Sequence, residues 1–299
     1  MEVTHGVILG SVVIFAVFAA NAGGAADGPL KTAVERGAQA TAATADGGAV
    51  RIGWQRDDVP LRVDGEPFPP SAGLGSWAAF KMAGEHAMVM GDTVVFEDEI
   101  TPAMDAAFAH GLSVTALHNH FVYDDPPVYF MHVGGRGDAE ALARGVKAMW
   151  GAIVSVRAEH PTPQRQSGAG RLGSGGLDAA ALQRILDSEP ELNDEVVKFT
   201  FAREGMMHGV GIGGSMGLIT WAAFIGDDRA AAVDGDFMMT ADEVQPVMRA
   251  LRRNGIHIVA LHNHMIGEVP SAYFLHFWGR GPAARLATGI RDALGAQSQ

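Results

Sequence analysis

Six of the twelve histidines in this 299-residue chain fall in two short stretches. "ALHNHFVYDDPPVYFMH" at 116–132 carries His118, His120 and His132, and "ALHNHMIGEVPSAYFLH" at 260–276 carries His262, His264 and His276. Neutral imidazole ligates borderline divalent metals, and three of them leave a coordination position open to water or substrate. Alternate side chains of a strand share a face, so His118 and His120 point the same way. A hairpin turning about Pro126 would set His132 opposite His120, and one about Pro270 would set His276 opposite His264. The pattern predicts a divalent transition-metal site in each stretch, with zinc first and copper, iron or manganese as further candidates. The alternative is a non-catalytic extracytoplasmic metal-carrier or envelope-binding module, in which a cross-strand histidine contact only stabilises each hairpin.

An acid would complete such a shell or take a proton there. Glu99 and Glu243 head the helix before each histidine strand and are identical between the stretches; Asp124 and Glu268, four residues after the second histidine, keep only their charge. The first pair is favoured as the catalytic proton acceptors. Arg136 and Arg280 lie in Gly-Arg-Gly at 135–137 and 279–281, read as strand-to-helix turns that either take an anion or simply cap the helix. Tyr129-Phe130, Tyr273-Phe274, Trp77 and Trp221 read as core aromatics.

The elements that must position these residues are written twice. Aligning Trp77 with Trp221 and running without a gap to Ala152 and Ala296 gives 32 identities in 76 positions, a duplication. Upstream, "VRIGWQR" at 50–56 resembles "VKFTFAR" at 197–203, each preceded by a helix-like segment, 30–43 and 177–189. Within each unit "SWAAFKM" and "AMVMGDTVVF" have strand composition, with Gly91-Asp92 read as a turn. "DEITPAMDAAFAHG" carries helix start and stop signals, "LSVTALHNHFV" and "PVYFMHVGG" are strands joined by "YDDP", and "DAEALARGVKAMWGAI" is an amphipathic helix. The expected fold is α+β: two homologous repeats, each an antiparallel sheet with flanking helices, packed as a pseudo-twofold dimer. The divisions expected are a leader or anchor at 1–26, a first repeat at 27–159, a Gly/Pro/Ser-rich linker at 160–176 and a second repeat at 177–299.

A net charge of −12 with no Lys/Arg cluster excludes nucleic acid as a partner. The absence of cysteine excludes disulfides, thiolate metal ligands and cysteine nucleophiles. The apolar run Gly6 to Ala20, followed by Ala20-Asn21-Ala22, has the build of a secretory signal or, uncleaved, of a membrane anchor. The expected location is therefore extracytoplasmic, periplasmic or secreted, with a small molecule or a metal ion as partner. "GVGIGGSMG" at 209–217 leads into a strand and fails the dinucleotide pattern.

"GLGSWAAF", "MGDTVVFEDEITPAM", "VTALHNH" and "YFMHVGGRGD" resemble the LppY/LpqO-type family of exported bacterial proteins. That resemblance implies export and a domain without an assigned activity. Lipid attachment through cysteine, as in family members that are lipoproteins, does not transfer to this chain. A weaker likeness is to cupins, whose metal motif has HxH followed by an acid, matched by "HNHMIGE" at 262–268. The helix before each histidine strand argues against a cupin barrel.

Overall fold

The computed structural model describes residues 28–165 and 170–297, so the expected leader and residues 166–169 of the linker lie outside the described residues. The first repeat contributes helices α1 (Pro29–Ala38), α2 (Ile100–Ala109) and α3 (Ala139–Glu159). Its strands are β1 (Ala43–Thr44), β2 (Val50–Gln55), β3 (Leu61–Val63), β4 (Glu66–Phe68), β5 (Gly75–Ala83), β6 (His86–Phe96), β7 (Ser113–Asn119), β8 (Asp124–Asp125) and β9 (Val128–Gly137). The second repeats the order with α4 (Ala179–Leu186), α5 (Ala241–Arg253) and α6 (Ala283–Gln297). Its strands are β10 (Glu191–Asn193), β11 (Val196–Ala202), β12 (Gly205–Met207), β13 (Val210–Ile212), β14 (Ile219–Gly226), β15 (Ala231–Met239), β16 (His257–His262), β17 (Glu268–Val269) and β18 (Tyr273–Gly281). The architecture is α+β, as the alternation of strand and helix patterns implied.

Local chemistry accounts for the helices. Asp138 caps α3 by accepting from the Ala141 N–H at 2.8 Å, and Leu142, Val146, Met149 and Ile153 then recur on one buried face. Helix α5 opens on a capping box in which Thr240 and Glu243 satisfy each other's backbone N–H groups.

Twelve strands form one sheet in the order β1-β2-β5-β6-β9-β7-β16-β18-β15-β14-β11-β10. The repeats meet where β7 pairs antiparallel with β16, through Leu117 opposite Leu261, which are equivalent positions of the duplication. One face of the sheet is covered by helices. There Phe80, Leu117 and Met131 of the first repeat and Phe224, Leu261 and Leu275 of the second share a core with Met104, Val146, Val247 and Ile290. The opposite face is partly covered by two small sheets, β4-β3-β8 and β13-β12-β17, over satellite cores that include Phe96 and Phe130, and Met238 and Phe274.

Three local expectations are corrected. Gly91-Asp92 is no turn: β6 runs through it, as β15 runs through Gly235-Asp236. Glycine is required because an added Cβ would come 2.8 Å from the Trp77 carbonyl oxygen at Gly91 and 2.1 Å from that of Trp221 at Gly235. Gly-Arg-Gly is likewise the end of strands β9 and β18 and not a turn. Finally, the histidine hairpin does not close about Pro126. Ala116 faces His132 and His118 faces Phe130, because residues 120–127 form a long excursion in which β8 pairs with β3.

Candidate metal centre

The corrected register creates a row of side chains across four strands. Trp77 on β5 faces Asp92 on β6, Asp92 faces His132 on β9, and His132 faces Ala116 on β7. In the second repeat Trp221, Asp236, His276 and Ala260 stand in the same row on β14, β15, β18 and β16. Directly opposed residues share a face, so each row lies on the side of the sheet away from the helices. His118 and His262 join that face two positions beyond the alanines.

The third histidine of each set arrives by a different route. His120 and His264 follow the ends of β7 and β16, and their rings lie flat on Phe130 and Phe274, with centroids 3.3 and 3.4 Å apart. Buried Phe130 and Phe274 thus serve as platforms for exposed imidazoles. The adjacent loop is held by Asn119, whose side-chain amide donates to the Phe121 carbonyl, and by Asn263, which donates to that of Met265 at 2.9 Å.

All six rings are gathered into two patches. Centroids of His118 lie 5.2 Å from His120 and 5.0 Å from His132; those of His262 lie 5.1 Å from His264 and 5.0 Å from His276. In the second patch one ligating atom from each of His262, His264 and His276 lies within 4.8 Å of the others. In the first, the Nε2 atoms of His118 and His132 are 2.9 Å apart. Carbonyl oxygens orient several rings: His118 Nδ1 is 3.2 Å from Asn119 O, His262 Nδ1 is 3.3 Å from Asn263 O, and His276 Nδ1 is 3.3 Å from Gly235 O. Hydrogen on Nδ1 in those contacts leaves the Nε2 lone pair facing the patch, the usual posture of a ligating histidine.

The carboxylates at the rings are Asp92 and Asp236. Asp92 Oδ1 lies 3.9 Å from His132 Nε2, and Asp236 Oδ2 lies 3.5 Å from His264 Nε2. Asp236 Oδ1 accepts from the Leu275 N–H at 3.1 Å, whereas the buried Oδ1 of Asp92 has no hydrogen-bond partner among the described residues. Burial holds the Asp92 carboxyl above the usual range, against the opposing pull of His132, His120 and His118. Burial also lowers His120, reinforced by His118, and lowers His264 in spite of Asp236. Both rings are therefore neutral at neutral pH, the form that binds metal. A cleft of about 330 Å³, lined by Trp77, Asp92, His120 and Phe130 among others, opens beside the first patch.

The acids singled out by spacing stand elsewhere. Glu99 is fully buried: its two oxygens accept from Arg56 at 2.8 and 2.9 Å and from the Phe96 N–H at 2.8 Å, and Arg157 Nε stands 2.7 Å away as an ion pair. Glu243 receives Arg203 at 2.8 Å and the Thr240 N–H at 2.7 Å. Asp124 accepts from the Val128 N–H and Glu268 from the Ala272 N–H, each at 2.7 Å, which ties down the histidine loops. Arg136 is exposed opposite Met88, and Arg280 donates to the Gly170 carbonyl at 2.8 Å. Trp77 and Trp221 are half-buried on the histidine face, under Arg51 at 4.7 Å and Lys198 at 5.0 Å. Sequence reasoning passed over the two aspartates because Gly-Asp resembles a turn. The usable signal was that both copies keep the pair inside runs of strand formers.

Among the curated proteins none matches this chain. Two solved structures are similar over much of its length: EtuB from Clostridium kluyveri, at 10% identity and a TM-score of 0.21, covering 85% of this chain and 88% of that one, and a trimeric bacterial microcompartment shell protein, PduB, at 8% identity and a TM-score of 0.20, covering 85% and 89%. At such scores neither likeness bears on the fold or the site. A family model matches the sequence twice, over residues 32–152 and 180–296, which span both histidine patches and most of the chain. The chain belongs to the family described as Domain of Unknown Function (DUF1259), in two tandem copies.

Proposed function

We propose that this is an exported protein of the LppY/LpqO type that holds a divalent transition metal, zinc foremost, on each histidine patch. The observation that carries the reading is the convergence of His262, His264 and His276, with ligating atoms within 4.8 Å of one another. The orphaned Asp92 Oδ1 and the carbonyl-oriented Nδ1 atoms support it: a buried carboxylate oxygen without a donor is costly, and a cation would relieve it. His118 and His132 with Asp92 make the matching set in the first repeat, with His120 stacked beside them. Export rests on the apolar run from Gly6 to Ala20. A pseudo-twofold relation between the repeats is supported by the pairing of Leu117 with its own equivalent, Leu261.

A bound ion of this kind supplies Lewis acidity and lowers the pKa of coordinated water. The chain's own residues supply the rest. Trp77 and Phe130 wall the cleft in which a small molecule reaches the first patch. In this reading the shell-completing role that spacing suggested for Glu99 and Glu243 passes to Asp92 and Asp236, since Arg56, Arg157 and Arg203 already engage the glutamates. A non-catalytic metal carrier is the second reading, favoured by the exposure of His120 and His264 on the surface.

Elemental analysis of untagged protein tests the proposal, comparing the unmodified chain with a His118→Ala/His262→Ala double variant. Retained metal in the first and loss in the second is expected, and the metal found ranks zinc against copper, iron and manganese. Equal metal content in both, or none in either after incubation with zinc, would overturn it. Turnover that follows metal content separates an enzyme from a carrier.

A further inference from the structure

The seam between the repeats is open at one end. Counting back from the Leu117–Leu261 pair, His257 lies beyond Asn119, the last residue of β7, so the start of β16 is paired with β18 on one side and has no first-repeat strand on the other. A cavity of about 690 Å³ occupies that place, lined by Thr101 and Tyr129 of the first repeat, Arg165 of the linker, and His257, Trp278 and Arg280 of the second repeat. None of the six clustered histidines lines it. Its volume falls in the ordinary range of small-molecule sites, roughly 300–1,000 Å³.

The duplication alone does not explain this cavity. At the positions equivalent to His257 and Trp278 the first repeat has Ser113 and Gly134, and Gln245 replaces Thr101. Gln245 fills the opposite end of the seam by bonding both the N–H of Val114 at 3.1 Å and its carbonyl at 2.7 Å. At the open end, by contrast, Thr101 Oγ1 lies 2.9 Å from His257 Nδ1. The two ends have diverged from a common plan, one toward a plug and the other toward a chamber.

The lining has a definite chemistry. Trp278 is 38% exposed and presents an aromatic surface. Arg165 and Arg280 bring two guanidinium groups to the wall of a protein whose net charge is −12. Arg280 uses one nitrogen on the Gly170 carbonyl, and the fork keeps further N–H donors. Burial and the nearby Glu97 and Asp124 raise the Tyr129 phenol, so it remains a hydrogen-bond donor. Burial, then Arg252, keeps His257 neutral. Glu97 also lines the chamber and opposes a second negative charge.

We propose that this cavity binds a planar aromatic monocarboxylate, its ring against Trp278 and its carboxylate taken by Arg280 and Arg165. The proposal is independent of the metal reading. It is tested by calorimetric titration of the full chain with 2-naphthoate in the presence of EDTA, so that no bound metal offers a competing carboxylate site. Stoichiometric binding is expected, weakened roughly tenfold or more in Arg280→Gln and in Trp278→Leu, and unchanged in His262→Ala. Arg165→Gln, on an exposed segment, serves as a second charge variant whose folding does not depend on the strand. 2-Naphthol, which lacks the charge, and cyclohexanecarboxylate, which lacks the plane, should each bind markedly less well. No binding of 2-naphthoate at millimolar concentration, equal binding of 2-naphthol, or equal affinity in the Arg280 and Trp278 variants would overturn the proposal.

Discussion

In the first repeat the carboxylate of Glu99 is enclosed by Arg56 and Arg157, with Asp58 and Asp98 pairing the outer edges of the same two guanidinium groups. In the second repeat the equivalent Glu243 meets Arg203 and its own capping box, and both partners retain some contact with solvent. The same helix start is thus secured once by a buried charge network and once by a cap with a half-buried ion pair. The histidine patches beyond them are built alike, ring on phenylalanine and aspartate on the next strand but one. The difference shows that helix anchoring has been free to drift while the rows from tryptophan to histidine kept their side chains. Breaking a buried pair leaves an uncompensated charge, whereas a half-exposed one is partly rehydrated.

Ways to break that contrast follow in order of expected size. Glu99→Ala should cost about 3–5 kcal/mol, because it strands Arg56 and Arg157 in the interior, and Glu243→Ala about 1–2 kcal/mol, the scale of a lost helix cap. Chemical denaturation of the two variants measures both, and equal losses would show the networks to be equivalent. Gly235→Ala should cost about 1–3 kcal/mol. Its new Cβ would stand 2.1 Å from the Trp221 carbonyl oxygen and 2.4 Å from Phe277 Cζ. Gly91→Ala should cost less, since its Cβ meets the Trp77 oxygen at 2.8 Å and the movable Val133 side chain at 3.1 Å. Thermal melts rank the two.

The patches sharpen the comparison next. Asp236→Asn and Asp92→Asn should each weaken zinc binding about 10–100-fold at their own site. The metal-free protein should respond unequally. Asp236 loses an acceptor for the Leu275 N–H only if the amide turns away, while Asp92→Asn removes a charge whose burial already raises its pKa. Zinc titration with and without denaturant separates the two effects. A drop in affinity at neither site would remove the aspartates from the proposed shell.

The smallest effect is that of pH. His120 and His264 have folded pKa values below the ordinary histidine value, so the unfolded chain binds more protons as the solution is acidified. Their contribution is intact above about pH 6.5 and is lost as pH falls through the folded values. Asp92 and Asp234 act in the opposite sense: their raised carboxyls cost stability at neutral pH, and acid relieves it. In EDTA, melting temperatures between neutral and mildly acidic pH should fall, and His120→Gln and His264→Gln should each flatten the decline slightly. An unchanged slope in both would show that these rings do not carry it.

Much of the architecture was legible because it depends on local pattern and on repetition. The matched strings, the helix signals around Pro102 and Gly111 and the strand composition of 113–119 and 128–137 each appear as elements close to the expected positions. Arg56 and Arg203, which end the two related upstream strings, turned out to be the partners of Glu99 and Glu243. No short-range rule connects residues some forty positions apart. The hairpin register was misjudged by four residues because the intervening loop left to pair with β3, a long-range choice that turn chemistry at Pro126 does not encode.

The sequence by itself determined that the chain is a duplicated α+β protein and that each copy carries three histidines with a common strand bias. Identity, hydrophobic period and residue chemistry are properties of the chain read in order. Only the tertiary structure decided which acid meets the rings, that one sheet runs through both repeats, and that one end of their seam is filled while the other is hollow. Those outcomes depend on strand order and register, which are set by the packing of the whole sheet and by backbone approaches such as that of Trp77 to Gly91.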